Sequence, residues 1–255
     1  MKAYVFHTDH YVNQVVTQFL AKSQNLKFED IENYKSNDDI LFCSYGILRG
    51  TGEIFKKCKN YIYIDHGYFN SSLRKFTKEK NTLIGALNGY FRVIKNDFYF
   101  RDKFYEINPV RFNNLGIPLK ELNRSAEHII LSEPSENTLK FLNIPNWTDE
   151  TLKKLKKYTD RNIIVHNKFS EKPLKHLMEN AFAFVSCQST AGFMCIAEGI
   201  PSYFTHKSFG NYGKIENIED RKLDHELLYI AANSQWKLNE FFSDDFNLYL
   251  SKVFK

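Results

Sequence analysis

The chain has 255 residues, 43% of them hydrophobic, with 35 basic and 30 acidic side chains for a net charge of +5. That is enough for one large domain or two small ones with a sizeable core, and the small surplus permits a polyanionic partner without requiring one. No run approaches the roughly 18 apolar residues of a membrane span, and the opening MKAYVFHTDH has no signal-peptide core, so the expected location is the cytoplasm (a host's, if the protein is viral). The cysteines at 43, 58, 187 and 195 show no C-x-x-C spacing and suggest neither disulfides nor a zinc site.

Residues 2 to 7, KAYVFH, read as a first strand, and Val12 to Ala21 as the helix behind it. DDILFCS, 38 to 44, is a second strand whose contiguous apolar residues suit a parallel sheet. The turn YGILRGTG follows, then a helix from Glu53 to Cys58 and a third strand, YIYID, ending at Asp65-His66-Gly67. Residues 68 to 125 are irregular, and loops and short elements are expected there. A second alternating series holds strands at 128 to 132, 162 to 166, 182 to 185 and 202 to 205, with helices at 147 to 158 and 173 to 180. Leu223 to Phe254 reads as one or two closing helices. The expectation is two α/β halves of parallel sheet, 1–125 and 126–255, divided near Asn123 to Glu127.

AFAFVSCQSTAGFMCIAEGIP, 181 to 201, runs from buried strand through a small-residue turn into a helix. Ser186, Gln188, Ser189 and Thr190 would stand at the helix start, with Ala191 and Gly192 in its first turn, where unpaired amides and the helix dipole favour a phosphate or diphosphate. Glu198, Gly199 and Pro201 would close it, Gly199 as a left-handed cap. Two further loops meet the same strand edge: Ser132 and Ser135 in one, His166 and Lys168 in the other. Each of these groups is equally at home as an ordinary cap or surface residue.

In the first half, Asp65 and His66 at a strand's carboxyl end suit a general base, Asp65 first. Arg49 in L-R-G-T could meet phosphate or the Asp65 carboxylate bidentately, or be a plain surface arginine. Between Tyr68 and Phe104, eight basic residues stand against three acidic ones and alternate with aromatic rings, the composition of a nucleic-acid groove. Tyr68, Arg74, Lys75, Arg92, Lys95, Asn96 and Arg101 are its candidate contacts; a solvated basic face over a Phe-rich core is the plainer alternative.

QSTAGFMCIAEGIP resembles the S-x-A-x-x-E-A-x-x-x-G-x-P region of GT-B glycosyltransferases and their nucleotide-sugar epimerase relatives. Together with L-R-G-T, Y-I-D-H-G-Y-F, Y-F-R-V-I-K-N and L-S-E-P-S, the chain is similar to small GT-B-like proteins of phages and prophages that resemble DNA hydroxymethylpyrimidine glycosyltransferases. The resemblance implies two Rossmann-like halves facing a cleft and a donor, expected to be a UDP-sugar, held by the second half. Arg49, Ser132, Ser135, His166, Lys168, Ser186, Gln188, Ser189, Thr190, Ala191, Gly192 and Glu198 are the donor contacts so implied. Neither a metal nor a resident cofactor is implied, and no D-x-D motif is present. The acceptor implied is 5-hydroxymethylcytosine in double-stranded DNA. A cell-surface glycan or lipid-linked sugar is the first alternative acceptor, and a non-catalytic nucleic-acid-binding or sugar-nucleotide-binding protein the other reading; oligomeric state is left open.

Overall fold

A computed structural model describes residues 2–36, 39–71, 88–99, 107–123, 126–209 and 214–254. The chain packs as two compact α/β units, Met1–Tyr105 with Ala231–Lys255, and Glu106–Ile230. The division at 105/106 replaces the expected boundary near Asn123 to Glu127, and the closing segment belongs with the first unit, not with residues 126–255. Among the described residues no helix is long and apolar enough to cross a membrane.

The first unit contains β1 (Lys2–His7), α1 (Tyr11–Ser23), β2 (Lys27–Asp30), β3 (Ile40–Tyr45), α2 (Thr51–Lys57), β4 (Tyr61–His66) and β5 (Tyr90–Lys95). Alternation of side chains along a strand sends successive apolar residues to opposite faces. Val5, Leu41, Cys43, Ile62 and Ile64 form one face with Val12, Val16 and Leu20 of α1; Phe6, Phe42, Tyr61, Tyr63 and Phe55 pack on the other. A strand buried on both faces must be apolar throughout, which is why these runs are contiguous.

The second unit contains α3 (Val110–Asn113), β6 (His128–Ser132), α4 (Glu136–Leu142), α5 (Trp147–Leu155), β7 (Asn162–His166), α6 (Leu174–Met178), β8 (Ala181–Ser186), α7 (Ala191–Ala197) and β9 (Ser202–Phe204). Its sheet, β7-β6-β8-β9, is parallel throughout. The helix α8 (His225–Asn233) spans the division of the chain. It is followed in the first unit by β10 (Gln235–Lys237) and α9 (Asp244–Phe254). The first sheet runs β10-β5-β4-β3-β1-β2, with β5 and β10 antiparallel to their neighbours, so that half is not wholly parallel as expected.

Strand β5 lies where only loops and short elements were expected. Asp65 and Arg92 are register partners across β4 and β5. The Arg92 guanidinium donates to Asp65 Oδ2 at 2.9 Å, and the rings of Tyr63, Tyr68 and Tyr99 lie 4.6–5.6 Å from it. The Arg92 side chain is only 6% exposed, so its charge depends on that carboxylate.

Helix α7 ends as its sequence implies. Gly199 has φ +79°, its N–H donates to Ile196 O at 3.1 Å and that of Ile200 to Cys195 O at 2.9 Å, a Schellman cap. A Cβ at Gly199 would stand 2.1 Å from the Glu121 carbonyl oxygen.

Gly199→Ala therefore combines a left-handed backbone with a clash against rigid main chain, and a loss of more than about 2 kcal/mol is expected in urea unfolding. Asp65→Ala leaves a buried guanidinium unpaired and is expected to cost about 3–5 kcal/mol. Adding Arg92→Leu should restore a substantial part of it; a fully additive double mutant would show that the pair is not coupled.

Candidate functional site

In the first sheet β2 and β3 flank β1, so the chain leaves β1 in opposite directions and a crevice opens beyond the carboxyl ends of β1 and β3. Asn13, buried in the first turn of α1, fastens those two ends together: its Oδ1 accepts from Thr8 N at 2.9 Å and its Nδ2 donates to Tyr45 O at 2.7 Å. The Thr51 hydroxyl donates to Gly46 O and Leu48 O, both at 2.8 Å, closing the loop after β3. Gly46, Arg49 and Gly50 there have φ of +73°, +57° and +89°. Only a tightly held turn keeps an arginine in that region. Thr8, His10, Tyr45, Arg49, Asp65 and His66 help to line the resulting cavity, whose volume of about 420 Å³ lies in the range of small-ligand sites.

Asp65 is poorly placed as a base. Its carboxylate accepts from Arg92, from the Tyr63 hydroxyl and from the His66 amide. Burial raises its pKa, but Arg92 and then His66, Tyr63 and the amide outweigh burial, and the carboxyl lies below its usual range. Asp65, expected as the first-choice base, is thus an ion-paired carboxylate of low proton affinity.

The imidazoles differ. His66 Nε2 meets the Tyr45 hydroxyl at 2.6 Å, and its Nδ1 is buried with no hydrogen-bond partner among the described residues. Burial foremost lowers its pKa; Asp65 opposes, and Arg92 and His10 add to the lowering. His10 is half-buried, and its ring makes no hydrogen bond among the described residues. Its pKa is lowered by burial first and by Arg49 second, against Asp9. Both thus lie below the ordinary histidine range, and the His10 ring is the one without a hydrogen-bond partner among the described residues. Sequence reasoning looked past His10, Asn13 and Tyr45; the carboxyl-end rule applied to the first strand as well as the third would have found them.

The second sheet has the same order, with β7 and β8 flanking β6. Ser132 pairs in register with both His166 and Ser186, so these three expected residues do stand abreast at one carboxyl edge. The turn that follows uses its own polar groups. Ser189 N donates to Ser186 Oγ at 3.1 Å, Ala191 N to Ser189 Oγ at 3.3 Å and Gly192 N to Ser189 O at 3.0 Å. Thr190, at the N-cap of α7, makes no side-chain cap. Gln188 Oε1 is buried without a hydrogen bond among the described residues.

The remaining donor residues have local partners. Ser135 caps α4 by accepting from Thr138 N at 3.3 Å. His166 Nε2 lies 3.2 Å from Lys172 O. Lys168 rests 4.9 Å over the Phe169 ring. Glu198 sits at the far end of α7, paired to Lys120 at 2.5 Å. Gly192 is a packing residue, since a Cβ would lie 2.6 Å from the Phe204 ring. Glu133, unremarked in the sequence, ties the edge loops together by accepting from Thr148 and Asn167 at 3.0 and 3.2 Å.

Two of the described members of the basic aromatic stretch do not form a surface. Tyr68 and Arg92 are buried, and the Asn96 side chain accepts from Tyr61 N at 2.7 Å, tying the end of β5 to the start of β4. Lys95 is half-buried, and burial lowers its pKa. Arg74, Lys75 and Arg101 lie outside the described residues.

No family model matches the chain, and no curated protein matches it. Among solved structures it is similar to the Thermosulfurimonas dismutans KpsC beta Kdo 2,4 transferase, with a TM-score of 0.49 and 9% identity over 98% of each chain. It is also similar to the beta Kdo 2,7 transferase of KpsC from the same organism, with a TM-score of 0.47 and 11% identity over 96% of this chain and 99% of that one.

Proposed function

We propose that the chain is a nucleotide-sugar-dependent glycosyltransferase of the GT-B type whose acceptor is a saccharide hydroxyl bound in the first unit. The observation that carries this reading is the cavity beyond β1 and β3, which sets a neutral imidazole with an unengaged ring, His10, beside the Tyr45–His66 pair and Arg49.

In a single displacement the acceptor hydroxyl gives its proton to a His10 ring nitrogen as its oxygen bonds to the anomeric carbon. The bond from that carbon to the donor's phosphate oxygen breaks, and the nucleotide leaves with the electron pair. A base of this kind works best with a pKa near the working pH, which suits an imidazole and not an ion-paired carboxylate. The second unit takes the donor in this reading, through the edge carrying Ser132, Ser186 and Gln188. A diphosphate docking at the turn would replace the two amide-to-hydroxyl bonds at Ser189 and Ala191, exchanging neutral acceptors for a charged one. The saccharide acceptor is preferred to hydroxymethylcytosine because burial of Tyr68 and Arg92 removes a base-stacking ring and a phosphate contact from the proposed groove.

The test is incubation with labelled UDP-, GDP- and CMP-sugars against an oligosaccharide panel and hydroxymethylated duplex DNA, followed by mass analysis. Transfer to a saccharide is expected; label on the DNA alone would return the acceptor to nucleic acid, and no consumption of any donor would end the enzyme reading. His10→Gln should lower kcat by about 10²–10⁴-fold with nucleotide affinity unchanged. Because neutral imidazole is the active form and its pKa is lowered, wild-type activity should be flat through pH 7 and fall on the acid side, below about 6.5. That limb should vanish in His10→Gln.

A further inference from the structure

We infer that the cavity of the first unit holds an anionic group, a carboxylate or phosphate carried by the acceptor, with Arg49 as its counter-charge; this rests on the acceptor-side reading above. Among the described residues Asp65 is the one carboxylate lining the cavity, and it accepts from Arg92, the Tyr63 hydroxyl and the His66 amide, with no bond to Arg49.

The other acidic neighbour, Asp9, stands 3.7 Å from Arg49 Nε and is 91% exposed, a solvated pair that holds neither partner firmly. The terminal nitrogens of Arg49 make no hydrogen bond among the described residues. Their donors are therefore available, on a loop stapled by Thr51 and carrying Arg49 at φ +57°. His10, on the same cavity wall, feels that charge: after burial, Arg49 is the second cause of its lowered pKa. A neutral sugar entering the cavity would strip water from the guanidinium without repaying those bonds, whereas a carboxylate or phosphate would meet its planar fork with two parallel hydrogen bonds.

The test measures binding, not turnover, by titrating glucose, glucuronate and glucose 6-phosphate into the full chain and into Arg49→Gln and Arg49→Lys, with melting temperatures to confirm that the variants fold. At least one acid should bind about tenfold or more tightly than glucose, with an affinity that weakens as salt rises. Arg49→Gln should erase the preference, and Arg49→Lys should keep part of it. Preference for glucuronate alone assigns a carboxylate and for glucose 6-phosphate alone a phosphate. Equal binding of glucose, an acid preference that survives Arg49→Gln, or no binding of any of the three overturns the inference. Anion binding without any sugar transfer would leave this site standing while removing the glycosyltransferase reading; transfer without anion preference would do the reverse.

Discussion

The ion pair between Asp65 and Arg92 governs both how the first sheet is extended and what chemistry its edge can perform. It joins β4 to the antiparallel β5 at a fixed register, and with Arg92 almost wholly enclosed by tyrosine rings a one-residue slip would bury a bare guanidinium. The same pairing keeps Asp65 as an ion-paired carboxylate beside His66, and in the proposed reaction this is why an imidazole is preferred to it as the base.

Both sheets place their first strand between its two successors, and in both the polar residues gather where the chain departs in opposite directions. They spend those residues differently. In the first unit Asn13 satisfies one donor and one acceptor of the two strand ends by itself, so the surrounding side chains are left facing an open cavity. In the second unit the hydroxyls of Ser186 and Ser189 turn back on their own amides, and Glu133 knits the neighbouring loops. The first edge has room for a ligand as it stands, whereas a ligand at the second would have to exchange internal bonds for external ones.

The parallel strands were legible because burial on both faces demands contiguous apolar residues, and DDILFCS and AFAFVS show just that. β5 was not, because Arg92 and Lys95 break the run in YFRVIK, and a charged residue in a strand looks like a surface until its partner across the register is known. Composition misled in the same way: Tyr68 and Arg92 have the chemistry of a nucleic-acid groove and the position of a core. Gly199 could be assigned from its neighbours alone, since a cap is a local interaction. The serines at 186 and 189 could not, since a hydroxyl that caps its own turn and one that awaits a phosphate are the same letter. His10 went unnoticed because its significance comes from Arg49 and His66, which are distant in sequence and brought together only by the order of the strands.

That proximity couples recognition to reactivity. Burial first and Arg49 second lower the His10 pKa, so in the proposed reaction the imidazole is a weaker base while the Arg49 charge stands unmet. An anionic group seated on Arg49 would cancel that contribution and add an opposite charge of its own, so the His10 pKa would rise toward the ordinary histidine value. The base would strengthen as the acceptor arrives. A neutral competitor filling the same volume would leave the guanidinium potential in place and meet a poorer base. Discrimination in such a site would then appear in the chemical step as well as in binding, because the charge proposed to select the acceptor would also contribute to the proton affinity of the group proposed to activate it.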